Sequence, residues 1–191
     1  MAEPAPTNRR PTPAAPARRG PGRLGWVLAL VVTLALVRGL AHVAQWPWLH
    51  ALLAVPGTAL HEGAHAGVAW ILGAQPQGLS LWPARLPDGR FQLGSVRFVP
   101  VWWNVAAISL APLALAGVAA LCVGAAVRAR SWPGRLAGVY LAACAVSSCW
   151  PSGVDWGHAL RAPLSWPLAL LLGVIWHGAV WWALHRMWRR P

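Results

Sequence analysis

Acidic residues are nearly absent from this chain. Of its 191 residues, four are Asp or Glu, against sixteen Lys plus Arg, and the formal net charge is +12. All of the basic residues are arginine. So strong a basic charge can indicate nucleic-acid binding, but the sequence contains no recognition motif, and its arginines lie in tails and short loops between apolar runs. We therefore expect the lipid bilayer, and no nucleic acid, as the partner of this charge.

Cysteine is also scarce, which bears on the class of protein. The three cysteines, Cys122, Cys144 and Cys149, all lie in apolar segments. Their odd number and irregular spacing argue against a disulfide framework of the kind found in small secreted domains. We expect them to be small core residues, since free cysteine packs as a small apolar side chain.

Long apolar segments make up most of the chain, which has 57% hydrophobic and 10% charged residues. Five apolar segments are each near the ~20 residues that a membrane-spanning helix needs. They cover residues 24–44, 48–74, 101–127, 136–160 and 164–185. Tryptophans cluster near the segment ends, as in the aromatic belts of membrane proteins. These features predict an all-α membrane protein with about five transmembrane helices.

The chain divides into a tail and one membrane domain. Residues 1–22 are rich in Pro, Ala and Arg, which predicts a disordered basic tail on the cytoplasmic side. Residues 23–191 form the transmembrane domain, with a core at about 48–160. If the five segments alternate in direction and the N-terminus is inside, nine arginines lie inside and six outside. We therefore expect an integral protein of the cell inner membrane with a cytoplasmic N-terminus.

The connection between the second and third segments, residues 75–100, does not have a helical pattern. Pro87-Asp-Gly89 is a turn signal, and apolar residues alternate on the chain that follows it. The alternation slips at Gly94, which predicts a β-bulge there in a short β-hairpin. Either a plain surface hairpin or a substrate-handling element is compatible with this pattern.

A glutamate and two histidines interrupt the second segment. Glu62 and Asp155 are the two acidic residues within predicted membrane segments, where an uncompensated carboxylate costs several kcal/mol. His61-Glu-Gly-Ala-His65 matches H-E-x-x-H. Residues four apart share a helix face, so both imidazoles can bind one Zn²⁺, and the adjacent glutamate can take a proton from the attacking water. The alternative, two buried histidines bonded to their neighbours, leaves Glu62 without a role.

A catalytic zinc site usually has three protein ligands, so a third should come from elsewhere in the chain. Asp155 is the favoured candidate, because a carboxylate within the membrane needs a cation and a neutral histidine does not. The five-segment scheme puts it at a similar depth to the two histidines, toward the cytoplasmic side. His158 remains an alternative, since it is three residues away and shares the same helix face. Cys149 is a nearby soft ligand that we expect to be dispensable.

The sequence resembles the site-2 protease family of intramembrane zinc metalloproteases, over about residues 50–160. The resemblance rests on four stretches: Leu60-His-Glu-Gly-Ala-His-Ala66, Leu72-Gly-Ala74, Ile108-Ser-Leu-Ala-Pro-Leu-Ala114 and Ser152-Gly-Val-Asp-Trp156. Three departures accompany it. Cys149-Trp-Pro-Ser-Gly stands where the family has an Asn-Pro-x-Pro-like approach to its aspartate, Trp156 stands where a glycine is usual, and the family's Asn near Pro112 is missing.

The resemblance implies zinc-assisted peptide hydrolysis, with Zn²⁺ held by His61, His65 and Asp155 and with Glu62 as general base. The implied substrate is a membrane protein or peptide, whose helix must unwind before its peptide bond can react. An edge of the predicted hairpin would then hold it as an added strand. Two other classes remain open. One is a zinc-binding membrane protein without turnover, and the other is a metal or proton transporter, against which the single copy of the motif weighs.

Overall fold

The computed structural model of the chain is mostly helical, with 73% of residues in helices. It describes residues 22–87, 89 and 91–189, so that the predicted tail, apart from Gly22, lies outside the described residues. Within these ranges the helices are α1 Arg23–Val43, α2 Pro47–Ile71, α3 Val105–Ser109, α4 Leu115–Arg128, α5 Trp132–Ser148, α6 Gly153–Arg161 and α7 Trp166–Arg189. The strands are β1 Gln77–Ser80, β2 Ala84–Arg85, β3 Phe91–Gln92 and β4 Ser95–Arg97.

Proline and serine account for several of the helix boundaries. Pro47 opens α2, at a position where its missing N–H would be unpaired in any case. Ser131 caps α5 by accepting a hydrogen bond from the Gly134 N–H. Pro112 lies in a 3₁₀ turn, Ala111–Ala114, that separates α3 from α4. The predicted third segment is therefore a short helix, a tight turn and a longer helix.

Small residues let the long helices α1, α4, α5 and α7 pack closely. A Cβ on Gly138 of α5 would lie 2.7 Å from Cβ of Ala126 on α4, and one on Gly117 of α4 would lie 2.8 Å from a methyl group of Val180 on α7. Where a side chain is missing, two helix backbones can approach, which is how helices associate in membranes. The main core cluster lies between α4 and α5, with α1 packed against it, and contains Leu115, Ala119, Val123, Ala142 and Ala145.

The contacts between these helices fix their relative directions. Trp26 near the start of α1 lies against Trp188 near the end of α7, with ring centroids 5.6 Å apart. Arg128 at the end of α4 donates a hydrogen bond to the carbonyl of Met187. The start of α1 and the ends of α4 and α7 therefore meet at one end of the bundle. We call it the arginine-rich end, after Arg23, Arg128, Arg130, Arg135, Arg186 and Arg189.

The predicted count of five membrane-spanning helices is not confirmed. Three runs in the described part of the chain are long and apolar enough to cross a membrane: Arg23–Val43, Ala111–Arg128 and Pro163–Arg189. A fourth is obtained if α5 and α6, which are bent by 54° at a short break, form one span. The helix α2 has 25 residues but is not among them, and its histidines and glutamate lower its hydropathy.

The alternating scheme built on five spans is wrong. It placed Arg23 inside and Arg128 outside, yet the ends of α1 and α4 that carry these residues are neighbours, since Gly25 of α1 lies against Val127 of α4. The helix α2 lies against the second half of α5, with the Leu53 carbonyl accepting a hydrogen bond from Tyr140 and with His61 at the Ser148 carbonyl.

The predicted hairpin is present between α2 and α3. β1 pairs with β4 and β2 pairs with β3, both antiparallel. In the turn, the Gly89 N–H donates to the Leu86 carbonyl over 2.9 Å, and Gly89 has a φ of +82°, which favours glycine. The register shift lies in β1, between Gln77 and Ser80, so the prediction of a bulge at Gly94 was wrong.

Candidate metal centre

The helix α2 brings the two histidines of the motif together on one face. His61 and His65 are separated by one helical turn, and their rings meet edge to face with centroids 4.9 Å apart. The helix α5 crosses α2 closely at Gly57, where a Cβ would lie 2.9 Å from the Cys144 carbonyl oxygen. This close crossing places Ser148, at the end of α5, beside His61.

A backbone carbonyl holds each of the two histidines through its Nδ1 atom. The His61 Nδ1 lies 2.7 Å from the Ser148 carbonyl oxygen, and the His65 Nδ1 lies 2.8 Å from the Ile108 carbonyl oxygen. A carbonyl can only accept, so both Nδ1 atoms carry the hydrogen, and in the neutral rings both Nε2 atoms have a free lone pair. Metal-binding histidines are oriented by such bonds at the other ring nitrogen.

Asp155 reaches the histidines from the first turn of α6. The chain breaks after α5, and Ser152 starts the new helix with a reciprocal capping box. The Ser152 N–H donates to Asp155 Oδ2 over 2.7 Å, and the Asp155 N–H donates to Ser152 Oγ over 3.2 Å. The carboxylate thus fixed lies with Oδ1 3.4 Å from His65 Nε2 and with Oδ2 3.8 Å from His61 Nε2.

The donor atoms of these three residues fit a single zinc ion. One ligand atom from each of His61, His65 and Asp155 lies within 4.8 Å of the others. Bonds of about 2.0–2.2 Å in a tetrahedral zinc site separate the ligand atoms by about 3.4 Å, close to the two distances given above. Two imidazoles with one carboxylate are an established catalytic zinc set. The His61 and Asp155 side chains keep 17% and 15% exposure, which leaves the site reachable by water.

Glu62 lies beside this group and is buried. Its relative exposure is 9%, and its charge interacts with those of His61, His65 and Asp155. No described residue forms a hydrogen bond with its carboxylate, which is therefore available to a water molecule or a substrate. Glu62 thus combines burial with a charge that interacts with all three candidate ligands.

Gly94 of the hairpin covers the helix next to Glu62. A Cβ on Gly94 would lie 2.6 Å from Thr58 Cγ2, 2.9 Å from Glu62 Cγ and 3.1 Å from the Ser80 carbonyl oxygen. Only glycine permits this contact, so the hairpin rests directly on the face of α2 that carries the glutamate. The prediction for Gly94 was a bulge within the hairpin, and this contact with α2 was not predicted.

The remaining candidates lie outside the cluster. His158 is exposed, on the same short helix as Asp155, and does not belong to the group of convergent donors. The Cys149 thiol donates to the Val146 carbonyl over 3.1 Å. Three supports of the site were not predicted from the sequence. The Ile108 and Ser148 carbonyls have no residue signature. Ser152 has one, because S-x-x-D before a helix predicts a capping box.

The comparisons with known proteins gave no match, whether with family models, with curated proteins or with solved structures.

Proposed function

We propose that this protein is an integral membrane zinc metalloendopeptidase that hydrolyses peptide bonds of membrane-associated proteins or peptides. The observation that carries the proposal is the convergence of His61, His65 and Asp155. The Nε2 atoms of the two histidines and the capped carboxylate of Asp155 lie close together, and the buried Glu62 is next to His61 in the sequence. Three apolar helices, long enough to cross a bilayer, support the membrane location.

Each residue has a role that follows from its surroundings. His61, His65 and Asp155 would hold Zn²⁺, which when bound supplies Lewis acidity to the peptide carbonyl and to the attacking water. Glu62 accepts the proton of that water and passes it to the leaving amine. The burial of Glu62 strengthens its electrostatic interactions, since charges are screened less in a low-dielectric site.

The hairpin is proposed to hold the substrate. Its strands are short, and β2 and β3 extend from the site at Gly94 toward the turn at Gly89. An extended peptide adding to such an edge gains backbone hydrogen bonds and exposes its peptide bonds. A substrate in a helix has its peptide bonds shielded by its own backbone hydrogen bonds. Holding the substrate as an extended strand exposes those peptide bonds to the attacking water.

The test is metal analysis and product mapping on purified protein, comparing the wild type with Glu62→Gln. Both should contain one zinc per chain, because Glu62 is not a ligand, while hydrolysis should fall by about 10²- to 10⁴-fold in the variant. His177→Ala is the matched histidine control, since His177 also bonds a backbone carbonyl through Nδ1 but lies on α7. Full activity in Glu62→Gln would remove the mechanism. Zinc without any wild-type cleavage would favour a binding protein over an enzyme.

A further inference from the structure

A proline removes the usual helical donor of the Ile108 carbonyl, which holds His65. In a continuous helix this carbonyl would accept the N–H of the residue four positions later, which here is Pro112. Proline has no N–H, and α3 ends just before the 3₁₀ turn that contains Pro112. His65 Nδ1 supplies a donor instead, 2.8 Å from the oxygen. Pro112 thus leaves the carbonyl open, although it does not determine which group bonds it.

The start of α3 depends on a residue from a distant part of the chain. The helix has five residues, too few to be stable without its neighbours. Asn104 precedes it but does not cap it, because the Asn104 side chain bonds the Val101 N–H and the Leu72 carbonyl. The Ser165 hydroxyl instead accepts the Ala106 N–H over 2.9 Å. Ser165 therefore acts as an N-cap from outside the helix.

The same hydroxyl group also bonds the end of α6. It donates to the carbonyl of Ala162, the residue that follows α6, over 2.7 Å. Ser165 and Ala106 are both fully buried, so loss of the hydroxyl would leave the Ala106 N–H without this partner and without water to replace it. The helix α6 carries Asp155, and α3 carries the carbonyl that holds His65. One buried hydroxyl thus connects the helices that support two of the three proposed metal ligands.

We infer that Ser165 and Pro112 are positioning residues for the metal centre, and that they act on the His65 ring through the backbone of α3. Ser165 fixes the start of this helix, and Pro112 keeps its Ile108 carbonyl open. That carbonyl holds the hydrogen of the neutral His65 ring on Nδ1, so that the Nε2 atom keeps its lone pair for the metal. The inference rests on the proposed function in taking the metal to be zinc.

The test observes the His65 ring directly, in purified metal-free protein at a pH where histidine is neutral. Nitrogen-15 NMR of ring-labelled histidine distinguishes a hydrogen on Nδ1 from one on Nε2, and the signal that is missing from His65→Ala assigns the ring. The wild type should have the hydrogen on Nδ1. Ser165→Ala and Pro112→Ala should each show a mixture of the two forms, and each should bind zinc about 10- to 100-fold more weakly.

The two substitutions perturb α3 in different ways. Ser165→Ala removes the cap at its start, whereas Pro112→Ala adds an N–H that competes with His65 for the Ile108 carbonyl. Ser165→Thr keeps the hydroxyl and should retain the wild-type ring and zinc affinity. Ser109→Ala is the matched control, because Ser109 is also buried and lies on α3, but its hydroxyl has no hydrogen-bond partner in the described part of the chain. It should behave as the wild type does.

Two results would overturn the inference. An unchanged ring in folded Ser165→Ala would refute the role of Ser165, and the same result in folded Pro112→Ala would refute that of Pro112. A ring change in Ser109→Ala as large as that in Ser165→Ala would show that any loss of volume disturbs α3, and that the cap has no special part. Circular dichroism establishes that each variant is folded, and if Ser165→Ala is not, Pro112→Ala still tests the link between the Ile108 carbonyl and the ring.

This inference and the proposed function fail separately, because the NMR measurement needs neither zinc nor a substrate. The expected ring changes in a protein that binds no zinc would refute the proposed function and leave the positioning of His65 intact. A wild type that binds zinc and cleaves its substrate, with the His65 ring unchanged in both folded variants, would refute the positioning and leave the proposed function intact.

Discussion

The Asp155 carboxylate is held by Ser152 on one side and faces His65 on the other. Its Oδ2 accepts the Ser152 N–H over 2.7 Å, and its Oδ1 lies 3.4 Å from His65 Nε2. The capping box that begins α6 thus also fixes a proposed metal ligand. A substitution that removes the Ser152 cap should therefore also change how firmly Asp155 is held, and the affinity for zinc measures that change.

Asp155→Ala should lower zinc occupancy and activity strongly, because it removes the only carboxylate of the convergent group. His158→Ala should keep the metal, with a loss of at most about 10- to 100-fold in affinity or activity, since His158 is exposed and outside the cluster. Metal analysis of the two purified variants decides between them. Zinc lost from His158→Ala but retained in Asp155→Ala would mean that the site consists of three histidines.

Ser152→Ala should weaken zinc binding although Ser152 is not a ligand. The loss of a cap costs about 1 kcal/mol of stability, and loss of the support for a ligand costs about 10- to 100-fold in metal affinity. Ser131→Ala is the matched control, because Ser131 caps the start of α5, whereas the metal ligands lie near the end of α5. It should lower stability to a similar degree without changing zinc affinity. Equal affinities in the two variants would show that the cap does not position Asp155.

The sequence was sufficient to predict the motif but not its supports. Spacing alone placed His61 and His65 on one face, since i and i+4 positions coincide on any helix. The scarcity of acidic residues singled out Asp155, although its helix begins only two residues earlier, at Gly153, after a break that the five-segment scheme did not predict. The carbonyls that orient the histidines come from distant parts of the chain and have no side-chain signature. No residue pattern could have identified them.

The predicted count of five spans is not confirmed, for a similar reason. Apolar length shows that a segment can be buried, but not where it enters and leaves the bundle. The segment 48–74 has the length of a span, yet α2 is not among the helices of the described chain that are long and apolar enough to cross a membrane. The hairpin was predictable because turn chemistry at Gly89 is local. The contact of Gly94 with α2 was not, because it depends on how two separate elements pack.

Gly57→Ala should reduce zinc affinity from a position that touches no metal ligand. A Cβ there would meet the Ser148 side chain and lie 2.9 Å from the Cys144 carbonyl oxygen, so that α5 must move away from α2. That movement withdraws the Ser148 carbonyl from His61. Gly63→Ala on the same helix is the control, since nothing lies within 4 Å of its Cβ, and it should bind zinc normally. A titration of zinc into both metal-free variants gives the comparison, and equal affinities would contradict the proposed support.

Gly94→Ala should separate hydrolysis from metal binding, on the proposed function. The added methyl group would lie 2.6 Å from Thr58 Cγ2 and 2.9 Å from Glu62 Cγ, which forces the hairpin away from α2. None of these atoms belongs to a metal ligand, so zinc content should stay at the wild-type level. Hydrolysis should fall by about 10- to 100-fold, because displacement of a substrate-holding element by about 1 Å has that effect.

Thr58→Ser tests whether the effect of Gly94→Ala comes from the clash of its methyl group with Thr58 Cγ2. The substitution removes Cγ2, the atom nearest to the added methyl group, while the hydroxyl is kept. The double variant Gly94→Ala with Thr58→Ser should therefore recover part of the lost rate, and Thr58→Ser alone should be near wild type. Initial rates on one membrane substrate, with zinc content measured on the same samples, complete the test. A Gly94→Ala protein that cleaves normally would show that the hairpin need not rest on α2, and one that loses its zinc would show that the contact supports the metal ligands instead.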